Sequence, residues 1–325
     1  MANSASWRPT SPADAARRRA ELLARVRTYF DEQEVLAVDT PALSSFPGSD
    51  PNIDSYSLRE VDDLWLHTSP ESSMKCLLAA GYPDIYSICR VFRAGELGGR
   101  HLPEFTMLEW YRLGFQLSEI IADTTTLIAT CLQQNALADE VTIVDYADAF
   151  LHKAGVDVFK ADARELAQAT TADADMQRAL GDDRAAWLDF IMVESVAPSF
   201  AVDRLTVLQH YPREQAALAR VCPADKRVAD RFEVFYGTLE LANGYVELTD
   251  AAEQRSRFLQ DLDARRASGK VIAPIDDYLL DALASGLPDC AGVALGVERL
   301  QMISDKTDNI GDVVTFTTRM RRENP

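Results

Sequence analysis

The chain has 325 residues, of which 47% are apolar, and its 33 basic and 51 acidic side chains give a formal net charge of −18. This length and apolar content suffice for a substantial core, and no run of ~18 apolar residues predicts a membrane span. A nucleic-acid partner is disfavoured, because such proteins need a basic surface to neutralise phosphates. The acidic field favours a cationic substrate, such as a diamino acid or a protein lysine, although acidity alone also serves solubility.

The cysteines and the first residues bear on the compartment and the domain organisation. Five cysteines form no C-x-x-C pair and leave one thiol over, which favours reduced thiols in a cytoplasmic protein over a disulfide framework or a zinc site. Residues 1–13 contain prolines and serines but no apolar stretch, so a flexible leader is predicted rather than a signal peptide. Without an internal repeat or a low-complexity linker, a single domain is predicted over 14–325.

The first predicted elements are a helix and a short strand. Apolar side chains at helical spacing, opposite a row of arginines, predict a helix from Asp14 to Gln33. It leads into the apolar segment 35–43, where a strand is predicted that Pro41 ends. Two further strands are predicted over 53–58 and 64–68.

The segment 69–81 has the signals of a short helix. Ser69 is a good N-cap, Pro70 suits the first helical position, and Glu71 favours the positive end of the helix dipole. Gly81 ends the helix. Helix capping therefore explains these residues by itself, and any further role of Glu71 needs independent support.

A hairpin with a long loop is predicted from Asp84 to Arg112. Two runs rich in β-branched and aromatic residues flank the glycine-rich, charged loop 94–103. Because side chains alternate along a strand, the second run presents a carboxylate and a phenol together on a mostly apolar face. That face carries Phe105, Met107, Glu109 and Tyr111, and the opposite face carries Thr106, Leu108 and Trp110.

Charged side chains gather around the loop of this hairpin. Arg93 lies at its lip, and the loop carries Glu96, Arg100 and His101. Guanidinium groups beside a glycine-rich loop suit a polyphosphate, because arginine binds it bidentately and stays charged. An ordinary edge hairpin with solvated charges is the alternative that the spacing leaves open.

The chain after this hairpin is predicted to be mostly helical. Segment 160–186 is rich in alanine and aspartate and weakly patterned, which predicts a surface insertion. A strand is predicted over 205–210, ended by Pro212. Helices are predicted over 117–134, at several places within 147–201 including 187–196, and over 250–268 and 276–285.

A second group of acidic and polar residues lies in 232–250. Asn243 and Gly244 are typical of a two-residue hairpin turn, which is one interpretation of the segment. Glu240 and Glu247 are seven residues apart and would face opposite sides of a straight strand. A bend at Asn243–Gly244 is therefore needed if both carboxylates are to serve one site.

The segment 289–300 predicts a strand of small residues that enters a helix. Gly292 and Gly296 allow close backbone approach, and Arg299 lies near the start of the helix. Such a position suits an anion or a purine.

Four of these segments resemble one known family. F-R-A-G-E-L-G-G-R-H-L-P-E-F-T-M-L-E-W-Y resembles motif 2 of the class II aminoacyl-tRNA synthetases in its lysyl version. The first helix, strand and proline resemble motif 1, and G-V-A-L-G-V-E-R resembles motif 3. E-L-A-N-G-Y-V-E-L-T-D is similar to a segment of the lysyl enzymes. The likeness is greatest to the elongation factor P–lysine lysyltransferases, which are truncated paralogues of lysyl-tRNA synthetase.

The resemblance implies a fold, an activity and partners. The fold is α+β, the class II synthetase catalytic fold with a central antiparallel β-sheet flanked by helices, and motif 1 implies a homodimer. The activity is ATP- and Mg²⁺-dependent activation of (R)-β-lysine or lysine as an aminoacyl-adenylate, followed by transfer to a lysine of elongation factor P. We expect no tRNA partner, because motif 1 begins so early that no anticodon-reading domain precedes it. Charging of a tRNA or small molecule, and a non-catalytic regulator, are the alternatives.

The resemblance also assigns roles to residues. Arg93 and Arg299 are the expected catalytic residues, and Glu240 and Glu247 the expected metal ligands. The amino-acid site comprises Ser69, Pro70, Glu71, Glu109, Tyr111, Asn243, Glu247 and Ala294. The ATP site comprises Arg93, Glu96, His101, Leu102, Glu240, Leu241, Gly296 and Arg299.

Two departures from the family pattern are relevant to specificity. Ala294 occupies the place of the middle glycine of motif 3, and its methyl group narrows the floor of the amino-acid site. A methyl group contributes ~1–3 kcal/mol to discrimination, which agrees with a preference for β-lysine over α-lysine. In motif 2, Leu102 replaces the usual asparagine, and the glutamate at Glu96 stands one position later, after Gly95, so these adenine contacts differ from the pattern.

Overall fold

The computed structural model describes residues 7–58, 64–272 and 274–317. Residues 1–6 of the predicted leader and 318–325 of the predicted domain lie outside the described residues. Within the described ranges, no helix is both long and apolar enough to cross a bilayer.

An eight-stranded sheet forms the centre of the fold, in the order β1-β4-β5-β10-β9-β8-β7-β6. The outermost pairs, β1–β4 and β6–β7, are parallel, and the other neighbours are antiparallel. The predicted α+β class with a largely antiparallel central sheet is confirmed. The strands are β1 Leu36–Ala37, β2 Leu43–Ser44, β3 Trp65–Leu66, β4 Ile85–Phe92, β5 Glu104–Leu113, β6 Thr142–Asp145, β7 Leu205–Gln209, β8 Arg231–Tyr236, β9 Leu239–Val246 and β10 Cys290–Gly296.

Helices surround this sheet. Those in the described ranges are α1 Ala13–Glu32, α2 Glu71–Ala79, α3 Leu117–Leu132, α4 Ala136–Asp139, α5 Tyr146–Ala154, α6 Ala163–Gln168, α7 Ala174–Leu180, α8 Arg184–Ile191, α9 Ala251–Ala267, α10 Asp277–Gly286 and α11 Val297–Asp305.

The main core lies between one face of the sheet and helices α1, α3 and α11. Phe30 of α1 stacks on Tyr86 of β4 and packs against Trp110 of β5. Ile128 of α3 and Leu300 of α11 complete this core. Burial of such large apolar side chains supplies the main driving force for folding. The opposite face of the central strands is left for polar side chains.

The predicted hairpin and its two faces are confirmed. β4 pairs antiparallel with β5 along its full length, with Ile85 opposite Tyr111 and Phe92 opposite Glu104. Leu108 and Trp110 are fully buried in the main core. The alternate side chains of β5 therefore point to the other side of the sheet.

Segment 160–186 forms α6 and α7 and is mostly exposed, as predicted for a surface insertion, and Leu166 is buried in a second core with Trp187 and Phe150. Two local predictions are corrected. The predicted strand 53–58 contributes only isolated bridges. The strand predicted over 35–43 is limited to β1 and β2, because the chain leaves the edge of the sheet after Ala37.

Strand β9 differs from both interpretations of its Asn-Gly pair. The two-residue turn lies at Gly237–Thr238, between β8 and β9, and Asn243 and Gly244 lie within β9. Gly244 serves close packing there, since a Cβ would stand 2.8 Å from the Gly292 carbonyl oxygen. Pairing with β8 shifts by one residue at Leu241, because Val234 faces Ala242 and Phe235 faces Glu240.

Candidate active site

A cleft of about 1180 Å³ opens on the polar face of β5, β9 and β10. Its volume slightly exceeds the range of about 300–1,000 Å³ that is usual for small-molecule sites. The predicted site residues that line it are Ser69, Glu71, Arg93, Glu96, His101, Leu102, Glu109, Tyr111, Glu240, Leu241, Asn243, Glu247, Ala294, Gly296 and Arg299. Pro70 does not line the cleft; it is buried at the start of α2, where its carbonyl accepts from the amide of Met74.

A β-bulge brings the acidic residues of β9 into the cleft. One extra residue, Leu241, reverses the alternation of side chains, as a bulge does. Glu240 consequently shares a face with Asn243, Tyr245 and Glu247, and all four line the cleft. The need for a bend between the two glutamates was predicted correctly, but the bend lies at the bulge and not at Asn243–Gly244.

Glu109 is held by two hydroxyl groups at one end of the cleft. Ser69 Oγ donates to Oε2 and Tyr111 Oη donates to Oε1, each at 2.7 Å. Ser69 also accepts from the Glu71 amide at 3.0 Å, so its hydroxyl joins the helix start to β5. Burial and the neighbouring Glu71 carboxylate raise the pKa of Glu109 to about 7.

Lys75 lies between two of the predicted carboxylates. Its Nζ is 2.6 Å from Glu71 Oε1 and 2.5 Å from Glu247 Oε2, and its side chain is 1% exposed. Tyr245 Oη also donates to Glu71 Oε1, at 2.8 Å. Burial alone would lower the pKa of Lys75, but Glu247 and Glu71 raise it above its ordinary value.

Glu247 is the most buried acid of this group. Burial raises its pKa to about 8, against the opposing effect of Lys75. Its Oε1 has no hydrogen-bond partner among the described residues. Gly292 makes room for it, since a Cβ there would stand 2.6 Å from this oxygen. Leaving a buried carboxylate oxygen without a partner costs free energy, so a cationic ligand that pairs with this oxygen binds there favourably.

The other end of the cleft carries arginine. Arg299 Nη1 donates to the Glu240 carbonyl at 2.9 Å, and Nη2 donates to His101 Nε2 at 2.7 Å. Burial and the Arg299 charge lower the pKa of His101, so its ring is the neutral acceptor that this contact requires. Arg93 lies 5.3 Å over the Phe105 ring and 3.7 Å from Glu96 Oε1. Both guanidinium groups line the cleft, as predicted for phosphate binding.

The two predicted metal ligands lie at different ends of the cleft. The Glu247 carboxylate contacts Lys75 Nζ at 2.5 Å, whereas Glu240 Oε2 lies 3.4 Å from Arg299 Nη1. Glu240 is therefore the predicted ligand at the arginine end, where a carboxylate oxygen suits a hard divalent cation such as Mg²⁺.

Ala294 and Leu102, at which the sequence departs from the family pattern, lie in different parts of the cleft. Ala294 lies opposite Glu109 on β5 and Asn243 on β9, so its methyl group is at the floor of the acidic end. Leu102 is buried against Met302 and Ile310 at the arginine end.

Sequence reasoning missed Lys75 and Tyr245. The signals for both were present: Lys75 stands four residues after Glu71 on one helix, and Tyr245 stands two residues before Glu247, on the same face.

Comparisons with known proteins agree with this architecture. Residues 4–320 match the family model of class II tRNA synthetases (D, K and N). The chain is 42% identical to a protein of Erwinia tasmaniensis named elongation factor P–(R)-β-lysine ligase, with 98% of this chain and 99% of that protein covered. Proteins of the same name from Klebsiella pneumoniae (strain 342) and Salmonella typhi are 41% and 40% identical, over 98% of this chain and 99% of each. The chain therefore belongs to the class II tRNA synthetase family, among relatives named elongation factor P–(R)-β-lysine ligase.

Proposed function

We propose that this protein activates (R)-β-lysine or lysine with ATP and transfers it to the ε-amino group of a lysine of elongation factor P. The observation that carries the proposal is one cleft with Glu71, Glu109 and Glu247 at one end and Arg93 and Arg299 at the other. The acids suit a diamino acid and the arginines suit a nucleotide. The name shared by the relatives supports this substrate and this acceptor.

In the first step, the carboxylate of the amino acid attacks the α-phosphate of ATP and pyrophosphate leaves. Negative charge on the phosphate oxygens is stabilised by Arg93 and Arg299, which already line the cleft. Glu240 would hold Mg²⁺, and the ion would supply further positive charge against the phosphates. Glu71 and Glu109 bind one ammonium group of the substrate, and Glu247, Asn243 and Tyr111 the distal one.

In the second step, the ε-amine of the acceptor lysine attacks the adenylate carbonyl and AMP leaves. The ordinary pKa of this amine is ~10.4, so it must lose a proton first. The acidic cleft attracts the protonated lysine, and the leaving phosphate lowers the demand for a strong base. No side chain of the cleft is assigned as that base.

We further propose a cytoplasmic homodimer of single catalytic domains, 14–325, that acts without tRNA. β1 is the edge strand of the sheet, and Leu36 within it is 43% exposed. An open strand edge with an exposed leucine needs a covering partner. Light scattering during size-exclusion chromatography tests this, with twice the chain mass expected.

Amino-acid-dependent exchange of pyrophosphate into ATP tests the activation step. We expect exchange with (R)-β-lysine or lysine and little with norleucine, which lacks the distal ammonium group. Equal exchange with norleucine would contradict the assignment of the acidic end. Absence of exchange with every amino acid would support a non-catalytic regulator.

Amino-acid affinity should increase with pH. Burial raises the pKa values of Glu109 and Glu247 to about 7 and about 8, and both must be ionised to bind ammonium groups. At acidic pH the substrate therefore has to displace protons. We expect the apparent KM for lysine to fall by roughly tenfold per pH unit, for each proton displaced, between about pH 6 and 8. A KM that is constant over this range would show that these carboxyl groups do not contact the substrate.

Glu240 should set the requirement for Mg²⁺. Glu240→Gln removes the carboxylate that is proposed to hold the ion, so we expect the free Mg²⁺ concentration for half-maximal exchange to increase ~10-fold or more. The matched control is Glu104→Gln, at an exposed carboxylate outside the cleft. An unchanged Mg²⁺ requirement in a folded Glu240 variant would assign the ion to another residue.

A further inference from the structure

Lys75 is a buried charge that the two reaction steps do not use. Its ammonium group contacts Glu71 on its own helix and Glu247 just beyond β9, and it lies 5.6 Å from the centre of the Tyr245 ring. A lysine with 1% exposure is costly to bury unless it is fully paired. The pairing of Lys75 with two carboxylates that are proposed to bind the substrate is therefore part of the structure of the site.

The charges at this end of the cleft can be compared with those of the substrate. Glu71, Glu109 and Glu247 supply three carboxylates and Lys75 one ammonium group. Tyr111 and Tyr245 stay neutral. With every acid ionised, two negative charges remain, which equals the number of ammonium groups on a diamino acid.

We propose that Lys75 is a positioning residue, an internal counter-cation that fixes the charge of the amino-acid site at the value that matches a substrate with two ammonium groups. This inference rests on the proposed function and deepens it. Lys75 joins Glu71 to Glu247, two acids from different elements, and so also fixes the distance between the two ammonium sites.

The number of protons that the protein releases when the ligand binds depends on the net charge of the amino-acid site. The ionisable groups that face Lys75 and its partners come from four elements: Glu71 on α2, Glu109 and Tyr111 on β5, Tyr245 and Glu247 along β9 and just after it, and Cys290 on β10. In the free protein near pH 7.5, a pKa of about 8 leaves Glu247 mostly protonated, and a pKa of about 7 leaves Glu109 protonated in a minority of molecules. Binding of a ligand with two positive charges favours the ionised carboxylates, so these protons are released.

The experiment is calorimetry in buffers of different ionisation enthalpy, which counts the protons released. Lysine, or (R)-β-lysine, is titrated into the full chain with Mg²⁺ and α,β-methylene-ATP, which cannot react. Lys75→Met removes the cation, so the free site holds more protons. We expect this variant to bind the amino acid at least ~10-fold more weakly and to release roughly one proton more than the wild type.

Lys75→Arg keeps the charge and is the matched control. We expect it to release the same number of protons as the wild type, even if its affinity is lower. If Lys75 has only a packing role, Lys75→Met will lose affinity and release the wild-type number of protons, and the proposal is overturned.

A comparison of ligands on the wild type keeps the test decisive if Lys75→Met does not fold. Norleucine carries one ammonium group, so its binding should release roughly one proton fewer than the binding of lysine. If norleucine and lysine release the same number of protons on binding, the proposed charge match is overturned. Failure of the wild type to bind either lysine isomer would instead contradict the proposed function.

Discussion

Arg299→Ala will lower amino-acid-dependent ATP–pyrophosphate exchange by ~10²–10³-fold, because a fixed positive charge at the reacting phosphate is lost. Arg299 is suited to this role because it is already oriented: its guanidinium group donates to the Glu240 carbonyl and to His101. A preorganised donor needs no rearrangement as charge develops. Steady-state exchange at saturating lysine measures the effect, and kcat should fall more than KM increases.

Arg227→Ala is the matched control for this variant. Arg227 is exposed and paired with Asp225 two residues before it, outside the cleft. Its loss should leave exchange unchanged. If Arg299→Ala folds with the wild-type Tm and keeps full exchange, Arg299 does not act on the nucleotide and the assignment of this end of the cleft is wrong.

Glu247→Gln is expected to have the largest effect on amino-acid affinity. The substitution leaves the distal ammonium group without its buried carboxylate, and loss of one partner of a buried pair costs ~3–5 kcal/mol. The KM for lysine should therefore increase by ~10²–10⁴-fold, and the KM for ATP should change little. Glu247 Oε1, which has no hydrogen-bond partner in the described residues, is the atom expected to meet that group.

Glu104→Gln, at an exposed carboxylate on the same sheet, controls for a general loss of negative charge. Its KM for lysine should equal that of the wild type. Equal KM values for the Glu247 and Glu104 variants would place the distal ammonium group elsewhere.

The parts of the fold that follow from local pattern were predicted well. Helix α1 and the β4–β5 hairpin have strong periodicity, and alternation along β5 placed Glu109 and Tyr111 on the cleft face. The weak pattern of segment 160–186 agrees with its short helices α6 and α7, which bury few side chains, of which Leu166 is one.

The site was predicted as far as motifs identify its residues, and the errors came from pairing between strands. The bulge at Leu241 depends on how β9 matches β8, which an Asn-Gly pair in the sequence obscures. The same bulge places Glu240 and Glu247 on one face, where Glu247 contacts Lys75. Such contacts join residues that no local period relates, so they become visible only in the folded sheet.

Intact-mass spectrometry of elongation factor P tests the central claim most directly. The acceptor is incubated with this protein, MgATP and either (R)-β-lysine or lysine, beside a tRNA-charging assay under the same conditions. We predict that elongation factor P gains the mass of one lysyl unit and that tRNA gains none. An unmodified acceptor together with charged tRNA, or with a charged small molecule, would contradict the account.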